Sequence, residues 1–104
     1  MMTTIDELAD NWLVGYPPRT ATSYRTAYRR WLTWCVCNDL APLTVTRVDI
    51  QRWIASLTDE GLKPRTVTSY ATAIAGLYRS AYLDGHIDRD PAAHMRRPRT
   101  PTRS

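Results

Sequence analysis

The sequence predicts an all-α fold, a small bundle of four main helices. Apolar residues recur three and four positions apart in four segments, Pro, Gly and hydroxyl residues separate these segments, and no segment alternates like a strand. The chain has 104 residues, of which 43% are hydrophobic, so we expect one domain with a single core. We place this domain at residues 1–95, followed by a flexible basic linker at 96–104.

Caps and apolar spacing predict the first two helices. Thr4, with Glu7 three residues later, is expected to begin a helix that ends near Val14. Its apolar side holds Ile5, Leu8, Ala9 and Trp12. After Gly15 and two prolines, a second helix is expected over residues 19–38. Its apolar side holds Tyr24, Ala27, Tyr28, Trp31, Leu32 and Cys35.

The third and fourth helices are predicted in the same way. Thr46 and Asp49 form a predicted capping box for a helix over residues 46–60. Its apolar side holds Val48, Ile50, Trp53, Ile54 and Leu57. The fourth helix is expected from residue 64 to residue 84 or 85, and a short extra turn is expected at 91–95. The apolar side of the fourth helix holds Val67, Tyr70, Ala71, Ile74, Leu77, Tyr78 and Ala81.

The second and fourth predicted helices begin with nearly the same ten residues. Residues 18–27 are PRTATSYRTA and residues 64–73 are PRTVTSYATA, with eight identical positions at an offset of 46. Each copy places a basic residue and hydroxyls in the first turn, where backbone N–H groups have no partner inside the helix. Such helix starts suit an anion, so two of them in one small domain predict a surface for a phosphate backbone.

The net charge of each segment follows the position of the repeats. The net charge is +4, and thirteen of the fourteen basic residues are arginine, whose fork of donors suits phosphate. Segments 19–40 and 63–83 hold the repeats and carry +3 each, whereas segment 1–18 carries −3 and segment 41–62 carries −1. We therefore expect the two basic segments to form the binding surface.

Helical geometry places hydroxyl and arginine side chains opposite the predicted core on both repeat helices. Neither face contains an acid, which is unusual for a helix surface that is merely solvated. A solvated surface remains the alternative interpretation. On the second helix this face holds Arg19, Thr22, Thr26, Arg29, Arg30 and Thr33. On the fourth helix it holds Arg65, Thr68, Ser69, Thr72, Ala75 and Arg79.

We predict that these faces contact duplex DNA, with hydroxyls and arginines on phosphates and one or two arginines on guanine edges. Thr20 and Thr66, at the helix starts, would hold phosphates. The aromatic residues at core spacing are expected to pack rather than to stack on bases. The predicted DNA-binding residues are Arg19, Thr20, Thr22, Ser23, Thr26, Arg29, Arg30, Lys63, Arg65, Thr66, Thr68, Ser69, Thr72 and Arg79.

Several soft motifs occur in an order that resembles a known family. A Thr-x-x-x-Tyr motif at Thr20 leads to the segment 31–34, a second one at Thr66 leads to Leu77 and Tyr78, and Asp-Pro-Ala at 90–92 precedes a Pro/Arg segment. Over residues 4–99 this order resembles the N-terminal core-binding domain of tyrosine recombinases, the phage integrases and their chromosomal relatives. The resemblance implies a SAM-like helical bundle that clamps duplex DNA together with a larger C-terminal catalytic domain. It also implies that the second and fourth helices face the major groove.

The resemblance further implies that the chemistry lies in that other domain. The family cuts DNA through a phosphotyrosine intermediate, with several Arg, a Lys, a His-x-x-Arg motif and a late Tyr, all expected after residue 100. Residues 94–97 spell His-x-x-Arg too early, so we interpret them as a coincidence. We therefore expect this chain alone not to be an enzyme. Double-stranded DNA is the expected partner, other recombinase protomers on DNA are allowed, and no cofactor, metal, membrane or small-molecule substrate is expected.

Two other function classes remain as alternatives. A helical protein-interaction module could meet an acidic partner through the arginine face, and it would ignore duplex DNA. An unrecognised enzyme has almost no support, because the sequence shows no paired carboxylates, Gly-rich phosphate loop or metal-ligand cluster. No signal peptide or membrane span is apparent, so we expect a cytoplasmic protein. Cys35 and Cys37 are expected to be free, partly buried thiols.

Overall fold

The computed structural model describes residues 4–93, and this part of the chain is a bundle of four α-helices without a strand. The helices are α1 (Ile5–Leu13), α2 (Pro18–Cys37), α3 (Arg47–Asp59) and α4 (Pro64–Leu83), with a 3-10 turn at Pro42–Thr44. The predicted all-α fold is therefore confirmed. None of the described helices is long and apolar enough to cross a membrane.

A turn follows α4 where the sequence predicts one. It spans residues 91–93, and the Ala93 N–H donates to the Asp90 carbonyl oxygen at 3.2 Å. Residues 94 and 95, the His-x-x-Arg segment that begins at residue 94, and the predicted linker at 96–104 lie outside the described residues.

Local capping signals set the ends of α1 and α3. Thr4 Oγ1 accepts a hydrogen bond from the Glu7 N–H at 3.2 Å. Thr46 and Asp49 form a complete capping box, in which the two reciprocal bonds measure 2.9 and 3.3 Å. Gly61 ends α3 with a φ of +92°, a conformation that glycine adopts without a steric penalty.

The centre of the bundle is α4, which packs against α1, α2 and α3. Eight of its residues are buried, compared with four in α2. This central position explains one error of the sequence analysis: Ala75, predicted on the outer face, is 5% exposed. A helix covered on more than one side has a wider apolar stripe than a surface helix. Val48 is the opposite error, since it is 46% exposed in the first turn of α3.

Trp31 links α2 to the rest of the core through its ring and its N–H group. Its ring lies 5.3 Å from that of Trp53 and 5.6 Å from that of Trp34, measured between centroids. Its Nε1–H donates to the Tyr78 hydroxyl at 2.9 Å, and that hydroxyl donates to the Pro42 carbonyl at 2.6 Å. Burial raises the pKa of Tyr78, so its hydroxyl stays a donor. The chain of bonds ties α2, α4 and the 3-10 turn together.

The acidic helix α1 packs against both repeat helices. The Tyr28 hydroxyl donates to the Asp6 carboxylate, and Arg25 forms an ion pair with Asp10 at 3.3 Å. Two of the three acids in the N-terminal segment therefore have partners on α2. On the α4 side, a Cβ atom added at Gly76 would lie 3.2 Å from Trp12 Nε1, so the glycine permits a close approach of α1.

The two cysteines are both free, as expected, but their environments differ. Cys35 is buried, and burial, with a smaller contribution from Asp49, raises the pKa of its thiol to about 12. Cys37 is exposed. The expectation that both thiols are partly buried is therefore wrong, because positions two apart on a helix point in different directions.

Candidate nucleic-acid interface

The two repeat helices begin differently from the other two helices. Each of α2 and α4 has proline in its first turn, no acid there, and no side-chain hydrogen bond from its cap residue, Pro17 or Lys63. By contrast, α1 and α3 have threonine caps and acids in the first turn. The first turns of α2 and α4 therefore have neither a side-chain cap nor a carboxylate of their own, which favours an incoming anion.

The structure leaves all fourteen predicted DNA-binding residues accessible to some degree. Four of them are half-buried: Thr20, Arg30, Thr66 and Thr68. The other ten are exposed: Arg19, Thr22, Ser23, Thr26, Arg29, Lys63, Arg65, Ser69, Thr72 and Arg79. Ala75, which the helical wheel placed on the same face, is buried and does not belong to this surface.

Most of the basic side chains on this surface keep an uncompensated charge. Within residues 4–93 the ion pairs join Arg25 to Asp10 and Arg30 to Glu60. The remaining basic residues of the predicted set have no ion-pair partner in that range: Arg19, Arg29, Lys63, Arg65 and Arg79. These five exposed cations can meet phosphate without first losing a carboxylate partner.

The hydroxyls of the two faces are engaged in different ways. On α2, Thr22 donates to the Pro18 carbonyl at 2.9 Å and Thr26 donates to the Thr22 carbonyl at 3.2 Å. Such bonds to the preceding turn leave the hydroxyl oxygen free to accept but occupy its proton. On α4, the Thr68 hydroxyl oxygen is buried and has no hydrogen-bond partner among the described residues. The repeated threonines therefore do not have equivalent surroundings.

Arg30 has two partners that the sequence analysis did not predict. Its Nη1 atom lies 3.2 Å from Glu60 Oε1, and its guanidinium carbon lies 5.8 Å from the centre of the Tyr70 ring. The predicted DNA-binding face of α2 contains no acid of its own, but the fold places Glu60 from the end of α3 beside it. Arg30 and Glu60 are 30 positions apart in the sequence, so no local periodicity connects them and the contact could not be predicted.

The described part of the chain has two open cavities, and one of them includes residues of the predicted DNA-binding surface. One, of about 470 Å³, lies between α2 and α3, and its lining includes Arg29, Arg30, Thr33, Ser56 and Glu60. The other, of about 750 Å³, lies between the segment around the 3-10 turn and the segment after α4. Its lining includes Thr46, Arg47, His86, Asp88 and Arg89, so it contains none of the predicted DNA-binding residues.

Three curated proteins that are similar to this chain are all described as tyrosine recombinases. The chain is 27% identical over 97 residues to "Tyrosine recombinase XerD" of Haemophilus influenzae, and the match covers 92% of the chain and 33% of that protein. It is 27% identical over 101 residues to the protein of the same name from Proteus mirabilis, covering 95% of the chain and 32% of the relative. It is 31% identical over 85 residues to "Tyrosine recombinase XerC" of Pseudomonas fluorescens, covering 79% and 28%.

The chain thus spans about a third of the length of the curated relatives that it matches. No family model matches the sequence, and no solved structure matches it significantly. Three matches to two kinds of tyrosine recombinase, each over most of the chain, agree with the resemblance found in the motifs. This chain is therefore similar to tyrosine recombinases along most of its length.

Proposed function

We propose that this chain is the SAM-like core-binding domain of a phage-integrase-type tyrosine recombinase and binds double-stranded DNA through the outer faces of α2 and α4. The observation that carries the proposal is the matched pair of helix starts, which lack side-chain caps and acids and carry exposed basic residues. The relation to tyrosine recombinases supports it, since such enzymes act on DNA.

The electrostatics support contact with a phosphate backbone. Five exposed basic residues have no ion-pair partner within residues 4–93, and arginine binds phosphate oxygens through paired donors. Small side chains between them, such as Thr26, Ser69 and Thr72, let the helix surface approach a groove closely. Base-edge contacts from one or two arginines would add sequence preference to this backbone contact.

The domain is expected to hold DNA and to leave the cutting to other parts of a longer protein. Its relatives are about three times as long as the matched segment, which leaves room for a catalytic domain. On this proposal the chain alone binds duplex DNA without cleaving it, takes part in DNA integration or recombination within the longer protein, and meets other recombinase protomers on the same DNA.

Fluorescence anisotropy of a labelled duplex, measured at several salt concentrations, tests the proposal. We expect a dissociation constant on the order of micromolar at low salt, because the domain supplies only one half of a clamp. If about four phosphates are contacted, log K should fall against log[salt] with a slope of about −3.6. A slope near zero, or no binding at low salt, contradicts the proposal. Binding to protein with no response to duplex would favour the interaction-module alternative.

The first prediction concerns Arg65, which is exposed in the first turn of α4. Arg65→Ala should weaken duplex binding about fivefold, or about 1 kcal/mol, because one charge-assisted contact to phosphate is lost. The salt slope should become less steep by about 1. Anisotropy titrations measure both quantities.

Arg52→Ala is the matched control, since Arg52 is also exposed, has no ion-pair partner within residues 4–93, and lies on α3 outside the predicted surface. Equal losses for the two variants would mean that net charge, and not this surface, determines binding. If Arg65→Ala unfolds the domain, Arg65 is structural and the face is assigned wrongly.

A further inference from the structure

The carboxyl end of α3 carries acids where helix electrostatics disfavours them. Asp59 is the last residue of α3, Glu60 is its C-cap, and the last turn contains no basic residue. The negative end of a helix dipole stabilises cations and destabilises anions. An acid at position 60 therefore does not stabilise α3. Its distinguishing feature is the contact that Glu60 makes with Arg30 of α2.

That contact holds Arg30 without burying it. Glu60 Oε1 lies 3.2 Å from Arg30 Nη1, and the two side chains are 51% and 40% exposed. The Arg30 guanidinium also lies over the Tyr70 ring, at 5.8 Å from its centre. An ion pair this exposed contributes little to folding. The ion pair therefore orients one arginine of the proposed DNA surface. It also leaves the guanidinium exposed to solvent, so that another anion can replace the Glu60 carboxylate.

The cavity between α2 and α3 is the place where a phosphate would compete with Glu60 for Arg30. Arg29, Arg30 and Glu60 all line it, and Arg29 has no ion-pair partner within residues 4–93. A guanidinium binds carboxylate and phosphate oxygens with the same donor geometry. A phosphate that reaches Arg29 therefore meets an Arg30 whose Nη1 atom already contacts a carboxylate, and the two anions compete for the guanidinium.

We propose that Glu60 is an affinity-limiting residue of the DNA site: it competes with phosphate for Arg30 and is displaced when duplex DNA binds. This inference rests on the proposed function. On this view the affinity of the domain for DNA is lower than its basic residues would give, and the contact between Glu60 and Arg30 causes the difference. Arg30 is the residue through which Glu60 acts.

Glu60→Gln tests the inference, because it removes the charge and keeps the size of the side chain. We expect duplex affinity to rise by about two- to fivefold, the range that an exposed ion pair represents. Asp59→Asn is the matched control: it removes the same charge from the neighbouring residue, which is exposed and has no ion-pair partner within residues 4–93. Its gain should be smaller. The urea midpoint of Glu60→Gln should stay close to that of the unmodified chain, because the lost ion pair and the relieved repulsion at the helix end are both small and opposite in sign.

A double-mutant cycle separates competition for Arg30 from the general effect of removing an acid. With Arg30→Ala present, Glu60→Gln should gain no more affinity than Asp59→Asn, because the competed guanidinium is gone. If Glu60→Gln gains no more than Asp59→Asn in the unmodified chain, or weakens binding, the inference is overturned while the proposed function stands. If the unmodified chain does not bind duplex at low salt, the proposed function fails, and the inference fails with it.

Discussion

Helices α2 and α4 start from nearly the same ten residues, yet α2 buries four side chains at the side of the bundle and α4 buries eight at its centre. Positions 46 residues apart therefore meet different surroundings. Arg29 is exposed on α2, whereas its counterpart Ala75 is buried on α4. A repeated sequence can therefore determine the same helix twice, while the partners around each copy determine how that helix packs.

The repeated tyrosines show the same divergence. Tyr24 stacks on Trp12 with the ring centroids 5.4 Å apart and the planes 3° from parallel, so it holds α1 against α2. Tyr70 lies beneath the guanidinium of Arg30 instead. Both rings are only half-buried, although the sequence analysis places both tyrosines among the core residues of their helices. Tyr24 and Tyr70 are therefore similarly exposed but contact different partners.

The residues that stay alike in both copies include an outward set. Arg19 and Arg65 are both exposed, and so are the pairs Ser23 with Ser69 and Thr26 with Thr72. Among the eight identical positions, only Ala27 and its counterpart Ala73 are buried in both copies. The shared part of the repeat is thus mainly a shared surface, which is the part that the proposed function uses.

The largest effect should come from exchanging residues between the two helices. Ala75→Arg gives α4 the residue that α2 carries at the equivalent position, and we expect it to destabilise the fold by more than about 3 kcal/mol, because it forces a charge into a packed site. Arg29→Ala, the reverse exchange, should change stability by less than about 0.5 kcal/mol. Urea denaturation measures both. Similar values for the two variants would remove the distinction between a central and a peripheral helix.

A smaller loss is expected from the hydroxyl of Tyr78, whose counterpart in α2 is Leu32. Tyr78→Phe leaves the Trp31 N–H and the Pro42 carbonyl without their partner, and it should cost about 1–3 kcal/mol of unfolding free energy. Tyr82→Phe is the control, since Tyr82 is 46% exposed and should tolerate the change. Equal unfolding midpoints for these two variants would show that the bond chain does not stabilise the core.

The smallest effect, and one of opposite sign, is expected at the repeated threonines. Thr68→Val replaces a buried hydroxyl oxygen that has no partner among the described residues, so stability should rise by about 1 kcal/mol. Thr22→Val removes only an exposed bond to the Pro18 carbonyl and should be nearly neutral. Thermal unfolding compares the pair. A loss of stability in Thr68→Val would mean that its hydroxyl has a partner after all.

The candidate site was partly predictable for a physical reason. Residues such as Arg19 and Arg65 could be found because helix periodicity and the first-turn position are local properties of the sequence. Arg30 was also found, but its partners Glu60 and Tyr70 were not, since they come from other helices. The accessibility of each residue is established by the structure, whereas its contact with DNA stays a prediction.

The set of helices and their ends follows from local signals in the sequence, because Thr4, the Thr46 capping box and Gly61 act within a few residues of their own positions. Which sides of those helices are covered depends on how the helices pack together. Ala75 became buried and Val48 exposed because burial depends on neighbours that are distant in the chain. The acid on the basic face has the same origin: the fold brings Glu60 to Arg30, and no local rule connects them.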